Sequence, residues 1–245
     1  MTSRYIESKI TGIAEDIVKI VYPNHCVVCS KILEEEDYVC PSCEGSLPYV
    51  APETCLGCGK RIYATDGEYC QDCRKHIHNF DGGVAALEYD ETIRNLVYDL
   101  KYKNKRRYAD FFADCIVNRC REAIEDRHID ILVPVPMYSA KEKQRGYNQA
   151  ELLAKALGVK LHIPCVNALY RNSKTHALKE LSREERALAM RGSFSLVKPL
   201  SKGLTVGIVD DIYTTGATMD ECARVIKSGG ASKVYSICAC VGQGF

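Results

Sequence analysis

The stretch LTVGIVDDIYTTGAT, residues 204–218, combines an apolar strand, two adjacent carboxylates and a turn rich in threonine and glycine that leads into a helix. A helix N-terminus presents N–H groups and the positive end of its dipole, and Gly216 lets the backbone approach a ligand closely. Asp210 and Asp211 would face a sugar, directly or through a hydrated Mg²⁺, which prefers oxygen ligands. The predicted phosphate-monoester site consists of Thr214, Thr215, Gly216, Ala217 and Thr218.

Two alternatives to a sugar-phosphate site were weighed on the same residues. An ordinary capped helix after a strand explains the threonines and the glycine, but it does not explain the paired aspartates. A P-loop nucleotidase is disfavoured because no lysine follows Gly216.

Outward from this stretch, short apolar runs alternate with helical patterns. Strands are predicted at 83–89, 129–136, 164–170, 204–209 and 233–241, and helices at 92–103, 108–124, 149–157 and 217–227. The third of these helices is expected to end at Gly158. Such alternation is typical of an α/β fold, a mostly parallel sheet flanked by helices, in which ligands bind beyond the carboxyl ends of the strands.

The stretch 204–218 resembles the phosphoribosyl diphosphate (PRPP) signature of the type I phosphoribosyltransferases. That resemblance implies their fold and the binding of PRPP with Mg²⁺. It also implies a pyrophosphate loop after an earlier strand, and residues 133–137 stand in that position. We therefore assign Val135 and Pro136 to this loop and Lys141 and Arg145 to charge neutralisation; a solvated turn is the alternative for the basic string. A mobile element over the ligand is placed at 171–191.

Eight of the fourteen cysteines fall within residues 26–73 as four Cys-x-x-Cys pairs, and the second two pairs repeat the first two at an offset of 29 or 30. Two such pairs supply the four thiolates of a tetrahedral structural zinc site, so two Zn²⁺ are predicted. Sequential pairing is favoured over crossed pairing because each repeat then holds its own ion. Disulfides, a redox pair and an iron–sulfur cluster are the alternatives. The zinc ligands are Cys26, Cys29, Cys40, Cys43, Cys55, Cys58, Cys70 and Cys73.

Net charge alone indicates no partner, because 33 Lys+Arg balance 32 Asp+Glu to give +1. No apolar run of about 18 residues is present to span a bilayer, and charges interrupt the first 22 residues, so a cytoplasmic protein is expected. Apolar residues at helical spacing predict an amphipathic N-terminal helix. The expected organisation is this helix at 1–24, a double zinc ribbon at 25–78 and a phosphoribosyltransferase-like domain at 79–245.

Residues 94–107 carry six basic side chains and one acidic one, a local charge of +5. Tyr98, Tyr102 and Tyr108 are interleaved with them, and cations combined with aromatic rings are typical of sequence-tolerant single-strand binding. A solvated helix face is the alternative. Single-stranded DNA binding is assigned to Arg94, Lys101, Tyr102, Lys103, Lys105, Arg106 and Arg107.

Several strings follow one another along the chain: the cysteine pairs, YDETIR at 89–94, LKYK at 100–103, VPVP at 133–136, RGYNQ at 145–149 and the stretch 204–218. Together they resemble the ComF family (ComFC), a double zinc ribbon joined to a phosphoribosyltransferase-like domain. The resemblance covers residues 24–241. It implies a role in natural transformation, with incoming single-stranded DNA and a helicase-like competence protein as partners. The chain departs from the family at Leu178, where Gln is common, and near Ala189, where Asn is common.

Two functions follow from these features. The first is a DNA-uptake protein that binds single-stranded DNA and a PRPP-type ligand. The alternative is a metabolic phosphoribosyltransferase that transfers phosphoribose from PRPP to an acceptor that no motif identifies.

Overall fold

A computed structural model of the chain describes residues 23–34, 37–63, 67–172 and 183–242. The predicted N-terminal helix at 1–24 lies almost entirely outside these ranges, as do Leu178 and residues 173–182 of the predicted mobile element. The chain forms two compact units, Met1–Leu47 and Pro48–Phe245. The first cysteine repeat belongs to the first unit, and the second repeat shares the second unit with the sheet. The domain boundaries at 24/25 and 78/79 stay predictions.

The main sheet consists of four parallel strands. In spatial order they are β1 (Gly82–Glu88), β6 (Lys233–Val241), β5 (Thr205–Tyr213) and β2 (Ile131–Pro134). A separate antiparallel pair is formed by β3 (Leu169–Arg171) and β4 (Phe194–Leu196). The helices are α1 (Pro41–Glu44), α2 (Gln71–Lys75), α3 (Glu91–Tyr102), α4 (Tyr108–Glu125), α5 (Ser139–Arg145), α6 (Gln149–Leu161), α7 (Arg183–Met190) and α8 (Ala217–Ser228). This parallel sheet with flanking helices confirms the predicted fold class.

Helix α3 shows how burial sets the exposed face of the protein. The Asp90 carboxylate caps its first turn by accepting from the Ile93 N–H at 2.8 Å. Its apolar residues at helical spacing are buried, and each such side chain contributes about 1.5–3 kcal/mol. They are Ile93, Leu96, Val97 and Leu100. Because this stripe faces inward, Tyr98 and Tyr102 point to solvent.

The prediction that the helix at 149–157 ends at Gly158 is wrong, because this helix, α6, continues to Leu161. His162, in the left-handed conformation (φ 57°), caps its C-terminus. Gly158 serves close packing instead. A Cβ atom at this position would lie 2.6 Å from the Ile163 carbonyl oxygen, where the chain turns back after the helix.

The strand predicted at 164–170 is largely absent. Only a single bridge between Cys165 and Leu132 and the short strand β3 form there. Pro164 has no N–H to donate to a ladder, which limits pairing at its start. In the described part of the chain, no helix combines the length and apolarity that a membrane span needs.

Candidate phosphoribosyl site

The two aspartates predicted to face a sugar lie near the carboxyl end of β5. Asp211 is only 3% exposed. Its carboxylate forms an ion pair with the Lys101 ammonium, which reaches it from the last turn of α3, and it accepts a hydrogen bond of 3.1 Å from Gln149 Nε2. The Asp210 carboxylate accepts from the Asp211 N–H at 2.9 Å. One buried carboxylate is thus neutralised by a lysine and the other is not.

This unequal pairing affects the pKa values of Asp210 and Asp211 differently. Burial, together with the neighbouring Asp211 charge, raises the pKa of Asp210 well above its usual range. Burial also opposes ionisation of Asp211, but the Lys101 ammonium outweighs it and lowers the pKa of Asp211. Although burial alone would lower the pKa of Lys101, the Asp211 charge raises it. The pKa values of the two neighbouring carboxyls are therefore shifted in opposite directions.

A cavity of ≈ 210 Å³ opens at the carboxyl ends of β5 and β2. The two strands are neighbours, and the Val135 N–H donates to the Val209 carbonyl at 2.9 Å, which sets Val135 and Pro136 beside the acids. The predicted residues that line the cavity are Val135, Pro136, Asp210, Asp211 and Thr218. The lining also includes Lys101, Asn148 and Gln149, which the sequence did not place there, and Met137, Arg171 and Ile212, which fall within the predicted ligand-binding stretches.

The cations predicted for the diphosphate do not line this cavity. Lys141 and Arg145 belong to α5, and Arg145 donates to Gln149 Oε1 rather than facing the acids. Among the residues that the structure describes, Lys101 and Arg171 are the basic ones in the lining. Burial lowers the pKa of Arg171.

The phosphate turn requires glycine at position 216. Gly216 caps α8 with φ 83°, a left-handed conformation that side-chain-bearing residues rarely adopt. A Cβ atom there would lie 2.5 Å from the Tyr213 hydroxyl and 3.0 Å from His78 Cε1. The side chains of Tyr213 and His78 therefore pack tightly against the turn.

His78 ties this turn to the segment that precedes β1. Its Nδ1 lies 2.8 Å from Asp220 Oδ2 on α8, and its Nε2 lies 3.4 Å from the Tyr213 hydroxyl. The Asn79 N–H donates to the other Asp220 oxygen at 2.7 Å, and the His78 ring stacks on Phe80 at 4.5 Å between centroids. No pattern in the sequence marks His78, because its partners lie about 140 residues away.

Each cysteine repeat brings four sulfur atoms together, all within 4.8 Å of one another. The sets are Cys26, Cys29, Cys40 and Cys43, and Cys55, Cys58, Cys70 and Cys73. With Zn–S bonds of about 2.3 Å, a tetrahedron places its sulfurs about 3.8 Å apart. The sulfur atoms of Cys29 and Cys40 are 3.7 Å apart, and those of Cys58 and Cys70 are also 3.7 Å apart. The donor sets thus fit two structural Zn²⁺, paired sequentially as predicted.

The second ribbon packs on the sheet and on the strand that leads to the phosphate turn. Gly59, in the left-handed conformation (φ 77°), lies so close to β1 that a Cβ atom would be 2.7 Å from the Ala85 nitrogen. Lys60 forms an ion pair of 3.0 Å with Asp72, and its ammonium lies 6.0 Å from the centre of the Tyr213 ring. This ribbon is therefore part of the support of the candidate site.

The predicted DNA-binding residues fall into two groups. Tyr98 and Tyr102 are 53% and 65% exposed, with ring centres 4.9 Å apart. We call the exposed surface that they form with Lys103, Lys105 and Arg106 the tyrosine face. Arg94 is exposed near the start of α3 and pairs with Glu91, and Arg107 is half-buried. Lys101 does not belong to this surface, because its ammonium turns inward to Asp211.

Two known families match the chain, one over the cysteine repeats and one over most of the sheet-containing part. The family described as "Phosphoribosyl transferase domain" matches residues 116–243, and the family described as "Double zinc ribbon domain" matches residues 17–74.

Curated relatives at low identity span nearly the whole chain. "Competence protein F" of Haemophilus influenzae is 27% identical, covering 81% of this chain and 94% of its own. "Competence protein ComFC" of Bacillus subtilis is 27% identical, with 84% and 85% covered. "DNA utilization protein YhgH" of Escherichia coli is 27% identical, with 88% and 89% covered. The predicted resemblance to the ComF family is thereby confirmed.

Proposed function

We propose that this chain, which belongs to the phosphoribosyl transferase domain family, supports DNA uptake by binding a PRPP-type phosphoribosyl ligand and single-stranded DNA. The observation that carries the proposal is the cavity in which the acid pair, the residues after β2 and the start of α8 converge. The relatives named for competence and DNA utilization support the DNA part.

In this proposal each element of the site has one task, although Thr214, Thr215, Gly216 and Ala217 are not in the cavity lining and only Thr218 of the phosphate turn is. The turn at 214–218 holds the 5-phosphate with N–H groups and threonine hydroxyls. Asp210 and Asp211 accept from the sugar hydroxyls, and the backbone at Val135 and Pro136 holds the diphosphate. Lys101 and Arg171, rather than Lys141 and Arg145, supply the positive charge.

Magnesium fits the donors of this cavity, because Asp210 and Asp211 in its lining offer carboxylate oxygens. Asp210 and Asp211 would hold a hydrated Mg²⁺ that offsets the charge of the diphosphate. Asp211 is already paired with Lys101, so we assign the larger share of this contact to Asp210.

The tyrosine face is proposed to bind single-stranded DNA. Base stacking on exposed rings and backbone contact with cations require no particular sequence. Lys103 lies 5.8 Å from the centre of the Tyr98 ring and Arg145 lies 5.1 Å from that of Tyr102, so cations flank both rings. A helicase-like competence protein is the proposed protein partner, and the cytoplasm the proposed compartment.

The test is a pair of binding assays on the zinc-loaded chain. PRPP with Mg²⁺ should raise the unfolding temperature, because a ligand that binds only the folded state stabilises it by mass action. The double change Asp210→Asn and Asp211→Asn should abolish this shift without altering the zinc content. Fluorescence anisotropy should detect binding of an unstructured strand. Absence of both responses would contradict the proposal.

The complete 204–218 signature also favours the alternative of a metabolic phosphoribosyltransferase. Pyrophosphate release from PRPP with a purine or pyrimidine base, in a protein that does not bind DNA, would support that alternative. Pyrophosphate release that depends on DNA would not.

A further inference from the structure

The cavity and the tyrosine face are formed by different side chains that lie next to one another. Lys101 and Tyr102 are adjacent in the last turn of α3; the first reaches Asp211 and the second is exposed. Arg145 lies over the Tyr102 ring and donates to Gln149, which in turn donates to Asp211 at 3.1 Å. One chain of direct contacts therefore leads from the exposed Tyr102 ring to the buried carboxylate, and the neighbouring Lys101 reaches the same carboxylate from the same helical turn.

The loop beyond α5 secures this connection. The buried Tyr147 hydroxyl donates to the Leu100 carbonyl of α3. The Arg106 guanidinium lies 4.7 Å from the centre of the Tyr147 ring, and Asn148 Nδ2 donates to the Val135 carbonyl at 3.0 Å. The tyrosine face, the α5–α6 loop and the residues after β2 are thus joined by hydrogen bonds and ring contacts.

The size of the cavity limits what it can enclose. Its ≈ 210 Å³ lies below the range of about 300–1,000 Å³ that is typical of sites for whole small molecules. The cavity formed by the described residues has room for one sugar phosphate, and we place the remainder of a longer ligand outside it. The tyrosine face is an exposed aromatic surface that is connected to this cavity through Arg145, which lies over the Tyr102 ring and donates to Gln149 in the cavity lining.

We propose that the cavity receives the 5′-phosphorylated end of a DNA strand whose following bases stack on the tyrosine face. This inference rests on the proposed function and names the ligand class of the same site. A 5′-terminal nucleotide is itself a 5-phosphorylated sugar, so its phosphate lies at Thr218 on the turn at 214–218. Its deoxyribose has no 2′-hydroxyl and its 3′ oxygen is esterified, so the sugar lies beside Asp210 without donating a hydrogen bond to it. The next phosphodiester meets the Lys101 ammonium, which offsets the repulsion from the acids, and the strand leaves along Tyr102.

The experiment compares strands of one sequence that differ only at their ends. Each carries a 3′ fluorophore and either a 5′-phosphate or a 5′-hydroxyl, and anisotropy of the zinc-loaded full chain gives the two affinities. A further strand, labelled internally, carries its phosphate at the 3′ end. We expect the 5′-phosphate to raise affinity about tenfold, the scale of one charge-assisted contact set, and the 3′-phosphate to leave it unchanged. Saturating PRPP should abolish the 5′-phosphate preference.

A matched pair of variants tests where the preference arises. Thr218→Ala changes the phosphate turn and should lower the ratio of the two affinities toward one. Lys233→Ala removes an exposed charge at the amino end of β6, at the opposite end of the sheet, and should leave the ratio unchanged.

The outcomes separate this inference from the proposed function. Equal affinity for 5′-phosphorylated and 5′-hydroxyl strands, in a protein that binds PRPP, would overturn the inference and leave the proposed function standing. An equal gain from a 3′-phosphate would also overturn it, since only charge would be sensed. A 5′-phosphate preference in a protein that does not bind PRPP would support the inference and overturn the PRPP part of the proposed function.

Discussion

Replacing Lys101 with methionine should leave a buried negative charge without its partner. The Lys101 side chain is 21% exposed and the Asp211 side chain 5% exposed, so solvent screens the pair weakly. Removing one partner of a buried ion pair costs about 3–5 kcal/mol. The remaining exposure of Lys101 favours the lower end, about 3 kcal/mol. For a domain of this size the unfolding temperature should fall by about 6–12 °C.

A double-mutant cycle isolates the charge effect from the loss of packing. Asparagine at position 211 keeps the oxygen that accepts from Gln149 but carries no charge. The double variant Lys101→Met, Asp211→Asn should therefore recover most of the stability that Lys101→Met loses. Denaturant unfolding of the four proteins gives the coupling energy. If the double variant is no more stable than Lys101→Met, or if Lys101→Met is as stable as the wild type, the buried pair has been misread.

Three further groups of variants test the remaining parts of the site. Gly216→Ala should abolish the thermal shift produced by PRPP while two Zn²⁺ remain bound, because its Cβ atom would lie 2.5 Å from the Tyr213 hydroxyl; an unchanged shift would refute the assigned phosphate turn. Cys58→Ser and Cys29→Ser should each reduce the bound zinc, measured by elemental analysis, from two ions to one. Cys58→Ser should also weaken PRPP binding, because the second ribbon supports Tyr213. A loss of both ions from either variant would contradict the sequential pairing. Lys103→Glu with Lys105→Glu should weaken single-strand binding and flatten its salt dependence, and Tyr102→Ala should weaken binding about tenfold. Lys233→Glu serves as the charge control. Equal affinity in all of these variants would mean that the tyrosine face is a solvated surface.

The parts predicted well from the sequence depend on local chemistry. A Cys-x-x-Cys turn holds two thiolates whatever surrounds it, so both zinc sites and their pairing are predictable. The apolar run before Asp210 forms β5 because a strand buried on both faces needs continuous apolar residues.

The parts that were missed depend on contacts between distant segments. Lys101 was assigned to DNA because it stands in a basic string, yet its ammonium turns to Asp211, 110 residues away in the sequence. Lys141 and Arg145 were assigned to the diphosphate from their place after β2, but they form a helix that leaves the cavity to Arg171 and Lys101. Gly158 has the sequence context of a helix end, but the absence of a side chain there instead allows the Ile163 carbonyl to pack closely against the helix.

The central claim is that the cavity at the end of β5 binds a phosphoribosyl ligand. Calorimetric titration of the zinc-loaded chain with PRPP, with and without Mg²⁺, tests it most directly. We expect saturable binding of one PRPP per chain that Mg²⁺ strengthens and that the double change Asp210→Asn, Asp211→Asn abolishes. Absence of heat and of competition with any phosphorylated ligand, or binding that survives the loss of both carboxylates, would contradict it.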